Sequence, residues 1–345
     1  MNRFENMASL SFLMGGKASA GEIEKIIDRL RISPAGNLSR IFSEDVRVAV
    51  IQVLRKDYQS LADYIIDMNL YVADAANRRA QLVCFPAYTG LLPASFLPQF
   101  KSVLPQLRPL ASTGLPDIED LNDILSYFSD VVFDIYFHTM SMLAARHDVY
   151  IMAGSTVYFE KDELLHRAFL FNNQGDLIGF QDKISQNRLE RGLAIEPASE
   201  LKIFDTPLGQ LAILICGDSD YFEPARAAKN LGAQILVNPN AFTGGRTAVD
   251  TALGVNMRVQ ENSLYGVQSV LVGDTAFGFA ASGAGRAFGP NAFLIRKNGV
   301  LAETSGMTQP DIACARLNLD RLEAKYPYTD DKNPELMKKY IDRLY

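Results

Sequence analysis

Residues 210–226, QLAILICGDSDYFEPAR, constrain the fold of this chain more than any other stretch. The apolar run 211–215 has the length and texture of a buried strand, Gly217 and Asp218 break it, and Phe222–Asn230 carries helical periodicity. A strand that ends in a tight turn and feeds a helix is predicted, with the Cys216 thiol at the tip. Ahead of a glycine and facing the positive end of a helix, such a thiol is expected to be held as thiolate at neutral pH and to act as a nucleophile. A lone cysteine can equally be a small buried hydrophobe, so the weight of this reading depends on the rest of the chain.

The flanking pattern alternates. Residues 46–53 form a β-branched run typical of a buried strand, 58–79 an amphipathic helix, 81–85 a second strand stopped by Pro86, 121–146 a helix rich in Phe and Tyr, and 149–159 a strand. Between them, 92–120 carries Pro93, Pro98, Pro105, Pro109 and Pro116 and reads as a long irregular excursion, either a lid or a plain surface loop. Asn173-Gln174-Gly175 and Pro207-Leu208-Gly209 mark hairpin turns. Helix 222–230, strand 233–238, helix 248–262 and strand 265–273 then restore the alternation. Two βα-rich halves joined by hairpins suggest two sheets packed face to face with helices outside. Residues 1–44 read as an accessory segment with a helix at 20–30, 45–320 as the main domain, and 321–345 as a tail with a terminal helix at 334–345.

Composition narrows the partners. The 345 residues are 48% hydrophobic and 21% charged with a net charge of −6, and Lys and Arg are scattered, so nucleic acid is not an expected partner. No run is long enough to span a membrane, and the first twenty residues, with a short apolar core broken by Ser9 and Ser11 and with Glu5 ahead of it, are not expected to be a signal sequence, so a cytoplasmic location is expected. Three cysteines and three histidines show neither a disulfide framework nor metal-ligand spacing. The glycines of 278–289 lack a dinucleotide fingerprint and read as backbone packing. No cofactor is expected.

A cysteine nucleophile needs a base and an oxyanion donor. No histidine falls in a segment that reads as site-forming, which leaves a carboxylate and an ammonium. Residues 181–192, QDKISQNRLERG, offer both: Lys183 at the end of a hairpin strand and Glu190 in a loop closed by Gly192. Tyr88, Tyr221, Asn240 and Phe242 lie at strand ends where ligand contacts gather. Asp218 and Glu223 are expected to cap the helix after Cys216.

ICGDSDYFEPAR resembles the cysteine signature of the nitrilase superfamily of carbon–nitrogen hydrolases, DKISQNRLERG its lysine segment, and LVCFPAYTG its first segment. VNMRVQENSLYGV and GAGRAFGP are similar to two framework segments, so the resemblance runs from about residue 46 to about 319 in the family's order. It implies a four-layer αββα sandwich and hydrolysis of an amide, carbamoyl or nitrile substrate through a Cys216 thioester. Lys183 and the backbone N–H of Gly217 would hold the oxyanion, Glu190 would be a positioning carboxylate, and the assembly would be a homodimer or larger. Gly-Asp after Cys216, rather than Trp-Glu, looks like the amidase and carbamoylase branches more than the true nitrilases.

One position departs from the pattern. The family's general base should follow Pro86, and that residue is Ala87. Loss of a general base costs about 10²–10⁴-fold, so this chain is expected to be inactive or severely impaired. A deliberate Glu→Ala change and a natural loss that leaves a ligand-binding or regulatory module both explain it. The intact Cys216, Lys183, Glu190 and Gly217 favour the first. Glu190 or Asp218 acting as substitute base is a further alternative.

Overall fold

Successive residues of a strand point to opposite faces, and β1 (Asp45–Leu54) is buried on both. Val46, Val48 and Val50 join one apolar cluster while Ala49, Ile51 and Val53 join another. The computed structural model describes residues 20–30, 45–97, 118–161, 163–242, 248–274, 280–291 and 298–323. The β1 pattern recurs in β2 (Leu82–Cys84), β3 (Tyr150–Glu160) and β4 (Glu163–Phe171). Leu82, Met152, Ala168 and Leu170 face inward with the even-numbered valines. Val83, Ile151, Phe169 and Phe171 face outward, onto helices α1 (Ala20–Arg29), α2 (Leu61–Asn77) and α3 (Ile118–His147).

The second half mirrors the first. Leu211 and Ile213 of β8 (Gly209–Ile213), Ile235 and Val237 of β9 (Ile235–Asn240), and Tyr265 and Val267 of β10 (Tyr265–Asp274) enter the same inward cluster. Ala212, Leu214 and Leu236 face Ala225 and Ala228 of α5 (Phe222–Asn230). Helix α6 (Ala248–Asn262) lays Val255 and Val259 against Phe288. The layers are therefore helix, sheet, sheet and helix, the expected αββα sandwich.

The two sheets are joined rather than separate. One contains β5 (Leu177–Asp182), β4, β3, β2, β1 and β14 (Asp311–Asn318); the other contains β7 (Ile203–Thr206), β8, β9, β10, β12 (Arg286–Phe288) and β13 (Val300–Glu303). Short strands β6 (Ile195–Glu196) and β11 (Ala280–Ala281) pair with β4 and β10. From Asp45 to Gln52 β1 pairs antiparallel with β14, and at its C-terminal end Gln52, Val53 and Leu54 pair parallel with Val270, Leu271 and Val272 of β10, so that Gln52 is bridged to both. This seam is pinned by the buried Gln52 amide. It donates to the carbonyls of Gly306 (2.9 Å) and Gln309 (2.7 Å) and accepts from Gly285 N–H (3.0 Å) and Thr304 Oγ1 (2.6 Å).

Element ends follow local chemistry. Helix α2 is shorter than 58–79 because Ser60 caps it, accepting from Asp63 N–H at 3.2 Å, and because Arg79 turns left-handed at φ +63°. The start of the proline-bearing stretch is a 3₁₀ turn, Thr89–Phe96, and α3 begins at Ile118, three residues before its predicted start. Ile23 and Ile27 of α1 are buried in the outer helical layer. The rest of the accessory segment, residues 98–117 and the tail with its predicted terminal helix lie outside the described residues. As read from the sequence, the glycines near 283–289 serve packing: a Cβ on Gly285 would stand 2.8 Å from Val50.

Candidate active site

Cys216 stands three residues past β8 with φ at +49°, a left-handed backbone that costs a non-glycine residue about 1–3 kcal/mol. The surroundings hold it there. Its carbonyl accepts from Asn238 Nδ2 at 3.0 Å and from Ser219 Oγ at 3.2 Å, and Asn240 Nδ2 donates to Asn238 Oδ1 at 2.9 Å. Asn238 and Asn240 lie two apart on β9, so they share a face at the strand's C-terminal end. A 3₁₀ turn, Cys216–Asp220, separates the thiol from α5, so the cysteine does not sit directly on that helix's positive end as expected. Burial pushes the thiol up to about 12; Lys183 and the Ala241 N–H pull it down, while Glu190 and Asp218 push it back up. The expected neutral-pH thiolate is therefore not the state this arrangement favours.

The lysine segment is packed rather than solvated. Lys183 N–H still pairs with the His166 carbonyl (2.8 Å) just past β5, and Lys183 and Glu190 are only 3% and 2% exposed. Glu190 belongs to a one-turn helix α4 (Arg188–Gly192), not to a loop. Its start is a capping box: Asn187 Oδ1 accepts from Glu190 N–H (2.9 Å) and Glu190 Oε2 accepts from Asn187 N–H (2.8 Å). The same Oε2 takes Lys183 Nζ at 2.8 Å, and Oε1 lies 3.1 Å from His166 Nδ1. Burial opposes this carboxylate, yet His166, Lys183 and the Asn187 N–H hold it down to about 2. Lys183 is likewise held above its usual range, against burial, by Glu190, Cys216 and Asp218.

Asp218 does not cap α5. Its carboxylate accepts from Ile215 N–H (3.0 Å), Ile184 N–H (3.2 Å), Ser185 N–H (2.7 Å) and Ser185 Oγ (2.6 Å), tying the lysine segment of one sheet to the cysteine turn of the other. Glu223 lies in the first turn of α5, but its buried Oε2 has no hydrogen-bond partner among the described residues.

Position 87 is set by the close approach of β3. Gly154, at φ +79°, lets the β3 backbone reach Pro86, whose carbonyl would lie 2.0 Å from any Cβ there; Ser155 N–H donates to that carbonyl at 3.3 Å. Ala87 is fully buried. Tyr88 N–H donates to Ser155 Oγ at 3.2 Å, and its ring stacks on His166 with centroids 4.9 Å apart.

A cavity of about 260 Å³ opens over these elements, lined by Lys183, Ser185, Asn187, Cys216, Gly217, Asp220, Tyr221, Asn240 and Phe242, among others. It gathers the cysteine, the lysine and three of the four pocket candidates. Tyr88, Glu190 and Ala87 are not part of this lining; Tyr88 backs the imidazole of His166, and Glu190 holds the lining Lys183 from behind. Sequence reasoning missed His166, which it had set aside with the other histidines, and Ser155, Asn187 and Asn238. The Asn-x-x-Glu capping spacing and the alternate asparagines of β9 were signals that could have found two of them. Among the described residues, no group of His, Cys, Asp and Glu could hold a metal ion, and no helix is long and apolar enough to cross a membrane.

Fold and site define a class: an αββα sandwich whose two sheets bring a cysteine turn and a buried lysine–glutamate pair to one cavity. Residues 47–326 match the carbon–nitrogen hydrolase family, and the chain belongs to it. It is 28% identical over 268 residues to a Bacillus subtilis protein named "Probable hydrolase YhcX", covering 75% of this chain and 47% of that one. It is 24% identical over 168 residues to omega-amidase NIT2-B of Xenopus laevis, covering 46% of this chain and 61% of that one. The match thus spans about half to three-fifths of these relatives' length. Among solved structures, a double mutant of the amidase from Nesterenkonia sp. AN1 in complex with acrylamide has the same fold. Its TM-score is 0.62 at 19% identity, over 87% of this chain and 98% of that one.

Proposed function

We propose that this chain is an amidase- or carbamoylase-type hydrolase whose cavity binds a small amide or carbamoyl compound, with Cys216 as nucleophile. The observation that carries this reading is the buried Lys183 ammonium, held by Glu190 at 2.8 Å and lining the same cavity as Cys216. The thiol sulfur adds to the substrate carbonyl, and the resulting oxyanion is held by Lys183 and the Gly217 N–H. The C–N bond then breaks as the amine takes the proton the thiol gave up, leaving a thioester, or a thiocarbamate from a carbamoyl compound, that water hydrolyses to the carboxylic or carbamic acid.

Proton movement is the missing part. Ala87 cannot titrate, Glu190 is held at about 2, and four donors already engage Asp218. On this reading the chain lacks a base and turns over little; a glutamate in place of Ala87 would complete the set, and the intact remainder favours a Glu→Ala replacement in a working enzyme. The second reading, a ligand-binding module without turnover, is favoured by that same buried alanine. The family reading also carries a homodimer or larger assembly and a cytoplasmic location.

Ammonia release from a panel of amides, carbamoyl compounds and nitriles separates the two. Ala87→Glu should raise turnover at least about 100-fold, and adding Cys216→Ala should abolish it. No turnover in any form, with ligands still raising the melting temperature, would leave the binding role in its place.

A further inference from the structure

We propose that His166 is a positioning residue: it holds Glu190 from behind and ties it to the segment that carries residue 87. This rests on the reading of Cys216, Lys183 and Glu190 given above. His166 is fully buried in β4 and both ring nitrogens are engaged. Nδ1 lies 3.1 Å from Glu190 Oε1 and Nε2 lies 2.7 Å from Ser155 Oγ. An ionised carboxylate only accepts, so Nδ1 carries a hydrogen and donates to Glu190.

Ser155 is itself fixed, because its Oγ accepts the N–H of Tyr88, the residue next to Ala87, at 3.2 Å. The Tyr88 ring lies against the imidazole at an interplanar angle of 19°. One continuous path therefore runs from the backbone beside residue 87 through Ser155 and His166 to Glu190, and on from Glu190 Oε2 to Lys183 Nζ. The two oxygens of Glu190 divide the work. Oε2 serves Lys183 and Asn187, while Oε1 faces His166. Without that donor the carboxylate keeps only its Oε2 contacts and can turn about them, and the ammonium it helps aim at the cavity is held less firmly. Oxyanion stabilisation is steep in distance and angle, so a small misplacement there reaches the rate.

Two amide side chains separate the two halves of the imidazole. Asparagine places its amide near Nδ1, and glutamine places its amide near Nε2. In the Ala87→Glu protein, His166→Asn should stay within about threefold of the parent kcat, because a donor to Glu190 remains. His166→Gln and His166→Phe should lower kcat about 10- to 100-fold with KM changed less than about threefold. In the unaltered chain, alkylation of Cys216 by iodoacetamide, followed on its peptide by mass spectrometry, should slow at least about threefold in the Gln and Phe variants and not in the Asn variant. Equal effects in all three variants, or losses that track melting temperature alone, would reduce His166 to packing and overturn the proposal. Absence of turnover in Ala87→Glu itself would sink the hydrolase reading, and the alkylation series would then still decide for or against His166.

Discussion

Lys183, Glu190 and Ala87 are equally dry, at 3%, 2% and 0% exposed, yet their surroundings are built differently. On the lysine side, ionisable groups persist in the interior because each is met by partners: His166, Lys183 and Asn187 around Glu190, and four donors around Asp218. At position 87 there is only the buried methyl group of Ala87, which cannot titrate. The electrostatic half of the site does not depend on residue 87 to hold together.

The comparison breaks most sharply if the lysine side is opened. Lys183→Met leaves Glu190 buried without its cation, which should cost about 3–5 kcal/mol in urea unfolding; in the Ala87→Glu protein it should also lower ammonia release at least about 100-fold. Unchanged stability would mean that the pair is not the buried unit described. On the opposite side, Ala87→Glu should speed Cys216 alkylation at pH 7 at least about tenfold while Ala87→Gln, of the same shape, should not, since only the carboxylate takes a proton. Asn238→Ala removes a donor from the strained Cys216 carbonyl and should cost about 1–3 kcal/mol by chemical denaturation.

Acid titration sharpens the contrast further. Glu190 is held at about 2 from an ordinary 4.5, so its contribution to stability is full above about pH 4.5 and is lost as pH falls toward 2. His147, bonded to Asn69 and lowered by burial to about 4 from 6.5, destabilises the fold as pH falls from 6.5 toward 4, because the unfolded chain takes up its proton first. Melting curves between pH 7 and 3 should show both declines, with Glu190→Gln flattening the lower one. The smallest effect belongs to the surface: the exposed Arg78–Asp74 pair should contribute no more than about 0.5 kcal/mol when Asp74 becomes Ala.

The layered fold was legible because burial on both faces writes continuous apolar runs, as in residues 46–53 and 211–215, and because helices 222–230 and 248–262 carry their own period. The seam between the sheets was not legible, since no local pattern says that the last residues of β1, Gln52–Leu54, will pair with β10. Lys183, Glu190 and Cys216 could be named from their segments. His166 could not: a histidine in a strand of Leu, Ala and Phe looks like any other interior residue until the chain places Glu190 and Ser155 on either side of it. Asp218 was misjudged because its partners, Ile184 and Ser185, are brought to it only by the packing of one sheet against the other.

The pairing of β1 with β14 also sets the order in which the molecule can be made. Asn318 Nδ2 bonds Asp45 Oδ1 across 273 residues, and the β1 edge from Asp45 to Gln52 waits for β14. Until that strand leaves the ribosome, Val46, Val48 and Val50 lack one flank of their cover and the β1 edge offers unpaired backbone groups to any passing chain. Closure across so many residues is entropically slow. The β1 edge is therefore the place where an incomplete chain is open to mispairing until residues 311–318 have been made.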